Sequence, residues 1–185
     1  MRSQFRLSPR VALVAALVLL SFGARAGADS TSSFMVGLLG GIGGSPDVKP
    51  GQSYGNPGIQ LDLGYFTEPQ QLVGVHIGEL DLSSKPTFGS LENAKLTYAN
   101  VGGEYRFQES YYESGIFIGL GAYRLAGTGS NGSNSTTAVG GAFGITGEFK
   151  FTKSFGFLVD LSAHYVDFRN QHVFVMGHGG LSYHF

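Results

Sequence analysis

The chain has 185 residues, of which 14% are charged, and a formal net charge of −1. That length points to one domain, and so balanced a charge gives no electrostatic case for binding nucleic acid. Cysteine is absent, which excludes disulfides and thiolate metal sites.

The N-terminus reads as a secretory signal. Arg2, Arg6 and Arg10 form its positive region, "VALVAALVLLSF" (11–22) its apolar core, and "ARA" (24–26) the small residues of a cleavage site. The apolar core is short of the roughly 20 residues of a spanning helix. Residues 1–26 are therefore expected to be removed, leaving a single domain over 27–185. A cut after Ala28 and an uncleaved anchor helix are the competing readings.

Beyond the leader, apolar and polar residues alternate with a period of two, which is a strand signature. Strands are predicted near 34–43, 57–66, 72–82, 95–107, 113–126, 136–151, 155–168 and 172–185. In "GIQLDLGYF" (58–66), Ile59, Leu61, Leu63 and Tyr65 share one face, and Gln60, Asp62 and Gly64 the other. In "AVGGAFGITGEFKF" (138–151), Val139, Phe143, Ile145 and Phe149 oppose Gly144, Thr146, Glu148 and Lys150. In "FGFLVDLSAHYVDF" (155–168), Phe157, Val159, Leu161 and Tyr165 oppose Asp160, Ser162 and His164. The last strand sets Val175, Leu181, Tyr183 and Phe185 against His178, Ser182 and His184.

The gaps alternate too. "TEPQQ", "QESYY" and "TKS" are tight turns, whereas 44–56, 83–94 and 128–135 are longer and polar; "RNQ" (169–171) is the short member of that second set. An even number of strands, with tight turns at one end and longer loops at the other, is the pattern of a membrane barrel. The predicted fold is all-β, an eight-stranded antiparallel up-and-down transmembrane β-barrel after a cleaved signal peptide.

The aromatic residues agree with this. Phe34, Tyr65, Phe66, Tyr105, Phe107, Tyr111, Tyr112, Phe149, Phe151, Phe155, Phe157, Tyr183 and Phe185 all fall at the tight-turn end, where a ring prefers the membrane–water interface. Tyr98, Tyr123, Tyr165 and Phe168 are candidates for a thinner girdle at the opposite end.

The terminal strand "GLSYHF", alternating and finishing on Phe185, resembles the small eight-stranded outer-membrane barrels of Gram-negative bacteria, of the OmpA transmembrane-domain and OmpX type. The resemblance spans everything after the leader. It implies an outer-membrane location with both mature termini periplasmic. It also implies that Tyr183 and Phe185 are read by the assembly machinery, with help from periplasmic chaperones. Outer-membrane lipids and lipopolysaccharide would be the surroundings of a monomer. The peptidoglycan-binding domain of full-length OmpA proteins is expected to be missing.

An eight-stranded barrel is only wide enough for side chains to fill it. Gly119, Gly121, Gly140, Gly144 and Gly180 are expected to point inward and make room for long neighbours. The inward face also carries a lumen polar cluster of Asp62, Glu104, Arg106, Glu148, Lys150, Asp160, His164 and His178, with His76 and Asn100 beside it. Buried charges must pair, and the pairs Glu104/Arg106 and Glu148/Lys150 are each two residues apart on one face. A structural polar core is the simplest account, and a gated ion path is the alternative.

No catalytic or cofactor site is expected. A hairpin centred on 169–171 would put Ser162 across from His178, with Asp160 two residues away, the raw material of a nucleophile and base. The site would lie in a crowded lumen. Some eight-stranded barrels are lipid A deacylases with a His and a Ser two residues apart, and Val166 stands where that pattern would need the Ser after His164. His172, His178 and His184 are spaced too far along a strand, at roughly 20 Å between neighbours, to share a metal; only His164 with His178 could pair. "GTGSNG" (127–132) lacks the following helix that a dinucleotide fingerprint requires. The leading function is thus a non-enzymatic barrel serving envelope integrity or surface interaction. A membrane-embedded lipid-modifying enzyme comes next. A soluble lipocalin-like carrier is last, because it could not leave the aromatic and aliphatic face in water. An open diffusion pore would take about 16 strands.

Overall fold

A computed structural model describes residues 34–46, 55–82, 91–108, 111–129, 132–168 and 171–185. The expected signal peptide and its cleavage site lie outside the described residues. Eight strands follow: β1 Phe34–Gly44, β2 Asn56–Glu68, β3 Gln71–Asp81, β4 Glu92–Gln108, β5 Tyr112–Gly129, β6 Gly132–Lys150, β7 Phe155–Phe168 and β8 Gln171–His184. They form one closed antiparallel barrel in sequence order. β1 closes it against β8, with Leu38 opposite both Leu61 and Leu181.

Local chemistry sets the turns. Between β6 and β7, Thr152 Oγ1 accepts from the backbone N–H groups of Ser154 (3.2 Å) and Phe155 (2.9 Å), so a hydroxyl supplies what a ladder partner would. Gly132, at the base of the β5–β6 turn, has φ +105, a conformation open to glycine alone at little cost. β5 and β6 run further than expected: residues 128–129 and 132–135, read as loop from their polar composition, are a paired hairpin with Thr128 opposite Ser133.

The two barrel faces differ as alternation requires. Outward apolar side chains such as Leu38, Ile118, Leu120, Val139, Leu161 and Leu181 are exposed, a surface that only lipid can cover. The aromatic girdle at the tight-turn end is present as outward rings in mutual contact. Phe34–Tyr65, Tyr112–Phe149, Phe155–Tyr183 and Tyr183–Phe185 have centroids 4.7–4.9 Å apart. Phe66 differs from the expectation: it turns inward, against the cluster of Met35, Leu39, Leu72 and Leu158.

The opposite girdle is corrected more heavily. Of its four candidates only Tyr165 faces outward; Tyr98, Tyr123 and Phe168 are buried. Their parity is that of Leu96, Leu125 and Val166, so they point into the lumen. There they join Leu80, Leu82, Phe174 and Met176 in an apolar plug at the loop end. Inward glycines admit the large side chains. A Cβ at Gly144 would meet the Phe117 ring, and one at Gly140 would stand 2.8 Å from the Tyr123 ring.

Candidate functional site

The polar lumen below the plug is the chemically richest part of the barrel. At the tight-turn end Arg106, on β4 and 1% exposed, reaches three walls. Its Nε donates to Glu104 Oε1 (2.9 Å), and its Nη1 donates to Glu148 Oε2 (2.6 Å) and Glu113 Oε2 (3.3 Å). Nη2 lies 3.2 Å from Met35 Sδ, and the guanidinium sits 5.4 Å above the Phe66 ring, which explains why Phe66 turns in. Glu113 and Glu148 are directly opposed on β5 and β6. Two carboxylates so placed repel, and the shared Nη1 holds them together.

Glu104 and Arg106 pair as the spacing suggests, whereas Glu148 and Lys150 do not. Lys150 bonds Glu113 instead. Glu148 Oε1 accepts from Ser182 and lies 2.6 Å from His184 Nε2, both on β8. Both residues thus pair with other strands, Lys150 with neighbouring β5 and Glu148 with β4 and β8. Thr146 Oγ1 donates to Glu104 Oε1 at 2.6 Å. Thr146, Ser182 and His184, read as inward but not placed in the polar cluster, complete the network together with Glu113, which was not singled out. Their inward parity was the available signal.

At mid-height Asp62 Oδ1 lies 2.9 Å from His76 Nδ1, and the His76 ring stacks on Phe117 at 4.9 Å. Across the lumen Ser162 Oγ donates to Asp160 Oδ1 (2.9 Å), His164 Nε2 is 3.1 Å from Ser162 Oγ, and His164 Nδ1 is 2.9 Å from the Tyr123 hydroxyl. The anticipated pairing of Ser162 with His178 does not occur. A bulge between Tyr165 and Phe168 shifts the register, so that Asp160 faces His178 and Ser162 faces Met176. His164 and His178 are thereby separated by Asp160 and Ser162, and no group of three or more metal-ligating side chains exists among the described residues. Ser162 directs its proton to a carboxylate and is 2% exposed. The arrangement is a hydrogen-bonded relay within the core.

A second feature lies at the loop end. There Arg124 and Thr128 on β5 and Ser133, Ser135 and Thr137 on β6 put polar side chains outward, and residues 132–137 are exposed on both faces. β6 pairs with β5 as far as Gly132, but with β7 only from Gly140 to Lys150. Among the described residues, therefore, the outer part of β6 has a strand neighbour on one side only.

The sequence model of the outer membrane protein beta-barrel domain matches residues 14–185. No protein with a curated description matches the chain. Among solved structures the chain is similar to Neisserial surface protein A, with a TM-score of 0.68, 14% identity, and 83% of this chain and 98% of that one covered. It is similar to the N-terminal beta-barrel domain of Pseudomonas aeruginosa OprF (TM-score 0.61, 13% identity, 83% and 98% covered). It is also similar to Ail, the attachment invasion locus protein of Yersinia pestis (TM-score 0.55, 17% identity, 83% and 97% covered).

Proposed function

This chain belongs to the outer membrane protein beta-barrel domain family, and on that premise we propose that it is a non-enzymatic outer-membrane barrel that engages partners at the cell surface through the protruding β5–β6 hairpin. One observation carries the reading: among the described residues, the outer stretch of β6 lacks a β7 neighbour. An unpaired strand edge is a template for another strand, and strand addition is a common mode of peptide recognition. Native edges are usually blunted by lysine, proline or bulges. Residues 132–137, "GSNSTT", contain neither lysine nor proline.

In this reading the loop end is extracellular, while the tight turns and both mature termini are periplasmic. The lumen cluster of Asp62, Glu104, Arg106, Glu148, Lys150, Asp160, His164 and His178 serves as a structural core. Lipid and lipopolysaccharide surround a monomer. Tyr183 on β8 and Phe185 just beyond it, outward rings in contact, serve recognition during assembly, as the family resemblance implies. Phe185→Ser should then lower outer-membrane abundance in cells far more than it lowers the thermal stability of refolded barrel. An equal fall in both would make the ring a packing element only.

In an antiparallel ladder alternate residues face each neighbour. With Gly129 paired to Gly132, Ser133, Ser135 and Thr137 are the residues facing the free side. Ser135→Pro would remove an edge N–H without touching the barrel. Cells expressing it should carry normal levels of barrel yet lose adherence or aggregation conferred by the native chain. Unchanged adherence would sink the edge reading. A membrane-impermeant maleimide should label Ser133→Cys in intact cells and not Lys153→Cys; the reverse result would invert the topology.

A further inference from the structure

Four inward side chains, each only 2–3% exposed, keep polar atoms with no hydrogen-bond partner: Gln60 Nε2, Asn100 Oδ1, Asp160 Oδ2 and both ring nitrogens of His178. His178 Nδ1 is within ion-pair reach of Asp160 Oδ1 at 3.5 Å, yet no hydrogen bond joins them. Buried polar atoms are normally satisfied, and each exception calls for an explanation.

The four residues are not scattered. They lie on one belt around the lumen. Tyr98 donates to Gln60 Oε1 at 2.6 Å, and the Tyr98 ring is 5.1 Å from that of His164. Asn100 Nδ2 is 3.5 Å from His164 Nδ1, and His164 connects through Ser162 to Asp160. Asp160 faces His178 across β7 and β8. The His178 ring then crosses to the wall formed by the paired Gly41 and Gly58. A Cβ at Gly58 would stand 3.3 Å from His178 Nε2, and Gln60 is two residues along the same strand. The belt closes there. The apolar plug lies on one side of it, and the Leu39 and Leu158 cluster with the Arg106 network on the other.

The unsatisfied atoms are of both kinds. Gln60 Nε2 can only donate, Asn100 Oδ1 and an ionised Asp160 Oδ2 can only accept, and a neutral imidazole offers one of each. A metal cation would need acceptors alone, and an anion would need donors alone. A molecule that donates two hydrogen bonds and accepts two fits the mixture. We propose that this belt is an internal water-binding site, in which a few long-lived waters bridge His178 and Asp160 to Gln60 and Asn100. The glycines at 41 and 58 leave room for the His178 ring on its way across, and the two flanking seals keep the waters from exchanging freely. Internal waters of this kind typically make two to four bonds to groups the fold leaves unpaired.

The test uses the full refolded chain. A high-resolution crystal structure should show ordered density within hydrogen-bond distance of at least three of the five atoms. Magnetic relaxation dispersion of water oxygen-17 should count long-lived waters in the native barrel, and fewer in Gln60→Leu and in Asn100→Leu. A dry belt in the native crystal would overturn the proposal. So would density that refines as a cation at about 2.4 Å from oxygen ligands, or a dispersion amplitude unchanged in both variants. Should either variant fail to refold, the native crystal and native dispersion decide the matter alone.

Discussion

A single guanidinium organises one end of the lumen. Arg106 touches Glu104, Glu113 and Glu148, and all three carboxylates are buried. Removing one partner of a buried ion pair costs about 3–5 kcal/mol, because the other is left charged and unpaired. Arg106→Leu should therefore lower the urea midpoint of the refolded barrel markedly. Lys150→Met should do much less, on the order of 1 kcal/mol or under, because the Lys150 side chain is 31% exposed and its partner Glu113 keeps Arg106. Equal losses would mean that the network is not centred on Arg106. At this scale the sequence was half legible. Glu104 and Arg106 could be paired from spacing. The partners of Glu148 could not, since they come from β4 and β8, and only closure of the barrel brings those walls together.

Among the elements, strands were readable where one face meets lipid. There the alternation is strong, and β7 has the predicted bounds of 155–168. It fades where both faces meet water, which is why Ser133–Ser135 read as loop although they are paired with β5. The aromatic misreading has another cause: Tyr98, Tyr123 and Phe168 were placed by nearness to a strand end, whereas parity decides which side of the wall a ring occupies. This difference between the wall and the hairpin is testable. Leu181→Arg sets a charge in the lipid-facing surface at about 2–4 kcal/mol if near the midplane. Asn134→Arg, on the exposed hairpin, should leave refolding into lipid vesicles unchanged. Similar losses for both would place the hairpin within the bilayer.

For the molecule as a whole, the architecture was legible because each strand pairs with the next, so only the β1–β8 contact is remote in sequence. What could not be read was how the interior is filled. The lumen holds an ionic network at one end and an apolar plug at the other, with a belt of polar side chains between. Refolded protein in planar bilayers should accordingly show no steady stepwise conductance in potassium chloride. Reproducible steps from the native barrel would mean that plug and network leave a continuous aqueous path.

Glu148 on β6 contacts Ser182 and His184 on β8, and these two contacts exist only after the last strand has docked. A sheet still open in the bilayer gains nothing from them. Their stabilisation is thus expected on the escape side of the folding barrier, where interactions absent from the transition state slow unfolding and leave the folding rate alone. The barrel would be slow to come apart rather than quick to form, and a cell that has paid the cost of inserting it would seldom need to do so twice.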